Sequence, residues 1–134
     1  QRLQEYAFTL IGGLEIGAIP LATCISDFGY TADPQREWKT FVVRKQAKDH
    51  GLGKLIEGHI QPGEHALIVD DVLTTGGSIL KAAAAARQQH LIVTHSLVVV
   101  YRSDDQGEGA LSPQGIQLLP LLNLHDLTQR QPTT

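Results

Sequence analysis

The chain has one cysteine, Cys24, in 134 residues, no methionine, one tryptophan and no excess of positive charge. A single thiol cannot form an internal disulfide, so nothing calls for an oxidising compartment. The 11 lysines and arginines are outnumbered by 14 acids, for a formal net charge of -3. That balance argues against a broad nucleic-acid surface, which rests on a basic face, but leaves room for a local cationic site. No apolar run approaches the roughly 20 residues that a bilayer-spanning helix needs. The opening QRLQE is polar and lacks a signal-peptide pattern. The expected location is therefore the cytoplasm. The lack of methionine extends to position 1 and reads as a trimmed or partial chain. His59, His65, His90, His95 and His125 show no zinc-ligand spacing.

What is present is an alternation of apolar runs, glycine turns and helical stretches. Residues 7–11 (AFTLI) read as a short buried strand closed by Gly12 and Gly13. Residues 16–28 are apolar at helical spacing, with Pro20 near the start, where proline is tolerated. Residues 41–44 (FVVR) form a second strand and 54–59 a strand beyond a polar loop. Residues 66–69 (ALIV) are of fully buried strand type and end in Asp70-Asp71. The alanine run within 79–89 predicts a strong helix. Residues 97–101 (LVVVY) are another buried strand, reaching back as far as Leu91, and 104–112 read as a polar loop. The stretch 116–124 contains Pro120, which restricts any strand there to a sheet edge. With no repeat and no linker, residues 1–134 read as a single domain: an α/β fold with a parallel sheet and helices on both faces. Ligands of such sheets sit at the carboxyl ends of the strands.

The segment Val69-Asp70-Asp71-Val72-Leu73-Thr74-Thr75-Gly76-Gly77-Ser78 follows that rule. A strand delivers two carboxylates, then a loop of small and hydroxyl residues opens a helix. Glycines let backbone amides approach a phosphate, and the helix N-terminus adds free N–H groups. Carboxylates would repel the phosphate but suit the hydroxyls of an attached sugar, or a magnesium ion. The plainer alternative is that the acids cap a turn that the glycines shape. The G-x-x-x-x-G-K-[ST] spacing of a P-loop is absent.

A second segment, Arg44-Lys45-Gln46-Ala47-Lys48-Asp49-His50-Gly51, runs from a strand into a basic loop. Four of the 11 lysines and arginines fall between positions 44 and 54. Alone it reads equally as a solvated loop. Beside a sugar-phosphate site, its cations suit a departing polyanion. A third segment, from Gly12 to Pro20, is a glycine turn before a helix, either an anion cradle or a packing turn. A fourth feature is Arg102, directly after LVVVY, suited to a substrate carboxylate or simply exposed.

VDDVLTTGGS resembles the phosphoribosyl pyrophosphate signature of type I phosphoribosyltransferases, and RKQAKDHG resembles the catalytic loop of the orotate class. The resemblance spans Gly12 to about Leu124. It implies the type I core, a Rossmann-like parallel sheet flanked by helices. The implied reaction is orotate plus phosphoribosyl pyrophosphate giving orotidine 5'-monophosphate and pyrophosphate, a step of pyrimidine (UMP) biosynthesis. Implied catalytic residues are Lys48, His50, Asp70 and Asp71. Phosphoribosyl pyrophosphate would contact Arg44, Lys45, Lys48, His50, Asp70, Asp71, Val72, Leu73, Thr74, Thr75, Gly76, Gly77 and Ser78. Orotate would contact Thr74 and Arg102, although the family usually has an acid where Tyr101 stands. Amides near residues 14–17 would hold pyrophosphate, with Ile16 where some members carry lysine. Magnesium is the implied cofactor, held through substrate with Asp71 as the side chain placed to assist. A homodimer is implied, with the loop from Lys45 to Gly53 shared across subunits. Family members also carry an N-terminal hood before the first core strand, and the sequence begins only a few residues ahead of that strand.

Two other readings remain open on residues alone. One is a non-catalytic phosphoribosyl-ligand binding or regulatory module on the same fold. The other is a phosphoribosyltransferase for another base, which Arg102 disfavours for purines because they offer no carboxylate. Cys24 is expected to pack in its helix, Trp38 to pack or lie at a subunit contact, and Asp104, Asp105 and Glu108 to be solvated.

Overall fold

The computed structural model describes residues 6–46, 55–101 and 106–123. Among these, six strands form one sheet: β1 (Leu10–Leu14), β2 (Lys39–Val43), β3 (Ile56–Gly58), β4 (His65–Leu73), β5 (Ile92–Tyr101) and β6 (Gln117–Asn123). Their order is β3-β2-β1-β4-β5-β6. All neighbouring pairs are parallel except β2 with β3, so the expected parallel sheet is mixed at one edge. Helix α1 (Ala18–Ala32) joins β1 to β2, and α2 (Gly77–Gln88) joins β4 to β5. These crossovers run outward in opposite directions from the β1–β4 seam, which makes that seam the topological switch point where open α/β sheets bind ligands.

Apolar residues on the two faces build two cores. Ala18 and Ala22 of α1 cover Leu67, Val69, Leu97 and Leu119. Ile79, Ala82, Ala83 and Ala86 of α2, with Leu111, cover Leu10, Ile68 and Val98 on the opposite face. The alanine-rich side of α2 gives close helix–sheet contact with little side-chain entropy lost.

Several boundaries differ from the sequence reading. Gly12 and Gly13 lie inside β1. A β-carbon on Gly12 would fall 2.1 Å from the Phe41 carbonyl oxygen, and one on Gly13 2.4 Å from that of Val69. These glycines thus serve close strand packing at the centre of the sheet. Strand β4 continues through Leu73, so Asp70 and Asp71 are still in the ladder, with Asp70 opposite Val98. Residues 106–111, read as part of a loop, form a short helix α3 (Gln106–Leu111), followed by a 3-10 turn at Ser112–Gln114. Burial of Leu111 overrides the weak propensity of a segment with two glycines. Strand β6 is an edge strand, as Pro120 requires. Trp38 is buried with its ring against Gly29, whereas Cys24 is exposed on α1, contrary to the packing expected of it.

Candidate active site

The carboxyl ends of β1, β2 and β4 meet at one place. Beyond β4, residues 74–78 turn sharply into α2. Gly76, the residue before the helix, has φ +86°, a conformation that suits glycine. Thr75 Oγ1 accepts a hydrogen bond from the Gly77 N–H (3.3 Å), which fixes the bend. Thr74, Thr75, Gly77 and Ser78 are exposed. A helix start leaves its first N–H groups without intrahelical acceptors and carries positive potential, so the bend is chemically suited to an anion.

Beside the bend are the two acids. The Asp71 N–H donates to Asp70 Oδ1 and the Val72 N–H to Asp71 Oδ1, each at 2.8 Å. Burial of Asp70, together with its hydrogen bond to and charge repulsion from Asp71, pushes its pKa up to about 6. The pair is therefore an electrostatically costly arrangement that a hydroxyl-bearing ligand or a cation would relieve.

The turn after β1 faces these acids. Gly17 precedes α1, and a β-carbon there would lie 2.9 Å from Asp70 Oδ1 and 3.3 Å from Asp71 Oδ1. The preceding Glu15–Ile16 peptide is cis. Only the part of the Gly12–Pro20 segment between Leu14 and Ala18 forms the turn, because Gly12 and Gly13 lie inside β1.

The ends of β1 and β2 and the helix that follows β4 are laced together. The Glu15 N–H donates to the Val43 carbonyl (2.8 Å), and Glu15 Oε1 accepts from the Lys45 N–H (2.9 Å). Lys81 Nζ donates to the Lys45 carbonyl (2.7 Å), tying the end of β2 to α2. Arg44 Nη2 meets Glu57 Oε1 at 2.6 Å across β2 and β3.

Of the sequence-predicted residues, the structure brings together Asp70, Asp71 and residues 72–78, with Lys45 at the neighbouring strand end. Arg44 faces Glu57. Lys48, His50 and Arg102 lie outside the described residues. Sequence reasoning missed Lys81, the bond from the Lys45 N–H to the Glu15 side chain, and the close approach of Gly17 to the two acids. Their position in the turn after a core strand, and one helical turn beyond a phosphate-type bend, was the available signal. Glu108 is exposed, as expected, and also accepts a hydrogen bond from the Tyr101 hydroxyl at 2.7 Å.

No family model matches the chain. It is 38% identical over 117 residues to the orotate phosphoribosyltransferase of Pyrococcus abyssi, covering 87% of this chain and 60% of that protein. The chain spans about 60% of the length of such curated relatives. A crystal structure of Mycobacterium tuberculosis orotate phosphoribosyltransferase in complex with 5-phospho-α-D-ribosyl 1-diphosphate superposes with a TM-score of 0.77 at 34% identity, covering 93% of this chain and 68% of that one. The same enzyme in complex with Fe(III) dicitrate gives 0.80 at 36% identity, covering 94% and 69%. The chain belongs to the orotate phosphoribosyltransferase family.

Proposed function

We propose that this protein transfers ribose 5-phosphate from phosphoribosyl pyrophosphate to orotate, giving orotidine 5'-monophosphate and pyrophosphate. The observation that carries the reading is the bend at residues 74–78 opening α2 beside the Asp70–Asp71 pair. The 5-phosphate sits on amides and hydroxyls of Thr74, Thr75, Gly76, Gly77 and Ser78, with Val72 and Leu73 shaping the approach. Asp70 and Asp71 accept from the ribose hydroxyls. Bond breaking at the anomeric carbon leads, so positive charge builds on the ribose near these acids, as in glycoside hydrolysis. The turn at 14–17 offers its amides to the pyrophosphate. Arg44, Lys45, Lys48 and His50 neutralise the leaving group, and Thr74 and Arg102 hold the orotate. No protein nucleophile takes part; the catalytic work is positioning and charge stabilisation.

Magnesium fits the donors present. Asp70 and Asp71 offer hard oxygen ligands, and no group of three metal-binding side chains occurs among the described residues. That set suits an ion held largely by substrate oxygens, with Asp71 as the assisting carboxylate, where it would supply charge neutralisation to the pyrophosphate. We place the protein in the cytoplasm as a homodimer of single-domain chains, with the loop from Lys45 to Gly53 shared across subunits. No described helix is long and apolar enough to cross a membrane.

The test is a spectrophotometric assay with phosphoribosyl pyrophosphate and magnesium, comparing orotate, uracil and adenine. Orotate is consumed and the other two are not, and Lys48→Ala lowers kcat by about 100-fold or more, the scale of one transition-state charge contact. Turnover of adenine or uracil in place of orotate would contradict the base assignment. Ribose 5-phosphate binding without turnover of any base would turn the reading to a binding module.

A further inference from the structure

The phosphate bend has a wall that neither sugar-phosphate chemistry nor the lacing of β1, β2 and α2 accounts for. Helix α3 lies against it. A β-carbon on Gly107 would fall 2.6 Å from Leu73 Cγ and 2.8 Å from the Thr74 carbonyl oxygen, and one on Gly76 would fall 3.1 Å from the Gly107 carbonyl oxygen. The first turn of α3 is therefore in backbone-close contact with residues 73–76. A six-residue helix with glycines at 107 and 109 has too few internal hydrogen bonds to hold its own position. Tertiary anchors must do so. One is Leu111, wholly buried at its far end. The other is at its near end, where the Tyr101 hydroxyl donates to Glu108 Oε2 at 2.7 Å. Tyr101 is only 7% exposed and stands beside Leu73 in the β4–β5 ladder. The bond thus links the residue next to the bend with the helix that walls it.

We propose that Tyr101 and Glu108 are positioning residues: their hydrogen bond seats α3 against the bend at residues 73–76 and so sets affinity for the sugar 5-phosphate. The inference rests on the proposed transferase reading for its kinetic form. The phosphate is gripped equally before and during bond breaking, so a loosened wall weakens ground state and transition state together. Such a loss raises KM and leaves kcat alone. A merely structural bond would lower the melting point without that split.

The experiment compares Tyr101→Phe, Glu108→Ala, Glu108→Gln and the double variant Tyr101→Phe/Glu108→Ala. Tyr101→Phe keeps the buried ring and removes the hydroxyl that donates to Glu108. Glu108→Gln keeps an oxygen that can accept. Tyr101→Phe and Glu108→Ala each raise KM for phosphoribosyl pyrophosphate about five-fold with kcat within about two-fold, and Glu108→Gln restores the wild-type KM. The double variant is no worse than the worse single, because both singles already remove the Tyr101–Glu108 bond. Amide hydrogen exchange in the free protein gives a second readout that needs no turnover. Exchange at residues 74–77 speeds up in Tyr101→Phe and Glu108→Ala and not in Glu108→Gln. If the wild type fails to consume orotate, the transferase reading falls while the exchange result still decides the tie. Unchanged KM and unchanged exchange in Tyr101→Phe, or additive effects in the double variant, would overturn it.

Discussion

Strand β4 has a carboxylate near each end, and the two are treated oppositely. Glu64, just before its amino end, has Lys39 Nζ at 2.7 Å, the Thr9 hydroxyl at 3.1 Å and the Gln61 N–H at 2.8 Å. Burial raises its pKa, but these partners outweigh burial and leave it below the usual value. Nearby, Arg36 donates from Nε and Nη2 to the Phe8 carbonyl and lies over the Trp38 ring. Asp70, toward the carboxyl end, is also desolvated, but the side chain beside it is another acid, and its pKa is pushed up to about 6. One end of the sheet matches its charges internally. The other holds two adjacent acids with no ion-pair partner among the described residues, next to a bend suited to phosphate. On the proposed function, the first end serves stability and the second serves the ligand.

The largest expected effect is on activity. Asp70→Asn or Asp71→Asn lowers kcat/KM for phosphoribosyl pyrophosphate by about 100-fold, or about 2.7 kcal/mol. Glu64→Gln in the same assay stays within about two-fold of wild type. Comparable losses from both ends would break the comparison.

Next comes stability. Glu64→Ala leaves Lys39, only 19% exposed in its side chain, without its main partner. Thermal unfolding should show a loss of about 2 kcal/mol, below the range for a fully buried pair. Asp70→Asn should have the opposite sign. Because its folded pKa is raised above the unfolded value, Asp70 holds its proton longer in the folded protein, and stability falls as pH rises from about 4 to about 6. At pH 7 the neutral asparagine escapes that penalty and melts above wild type by about 1 kcal/mol after allowing for solvent screening. Below pH about 4 the difference disappears. Glu64 contributes stability above its unfolded pKa that is lost as pH falls through the lowered folded one.

The pH profile sharpens the same point. If ionised Asp70 is the working form, kcat/KM for phosphoribosyl pyrophosphate falls as pH drops below about 6. A profile flat from pH 7 to 5 would remove Asp70 from the site. The smallest effect is expected from Lys81→Ala, which releases the Lys45 carbonyl. Exposed contacts of this kind contribute little, so KM should rise only about two- to three-fold.

The site end was the more legible in the sequence, because its chemistry is local. Two acids, two threonines, two glycines and a serine in one run mark a strand that ends in acids and bends into a helix, whatever surrounds them. Buried strands also announced themselves, though β4 runs four residues further than its apolar core because the ladder continues through Asp70 and Asp71. What stayed hidden depends on contacts distant in sequence. Gly12 and Gly13 look like a turn until β2 and β4 are placed on either side. Glu64 with Lys39, Glu15 with Lys45, and Glu108 with Tyr101 become partners only through the fold. Helix α3 has no local pattern to reveal it, since the buried Leu111 and its neighbours in space stabilise it.

The most direct test of the account is a crystal of the protein soaked with ribose 5-phosphate. The sugar's phosphate should be found on the amides of residues 74–78, with its hydroxyls within hydrogen-bond reach of Asp70 and Asp71. The compound seated at another place, while that bend carries no density, would contradict the account.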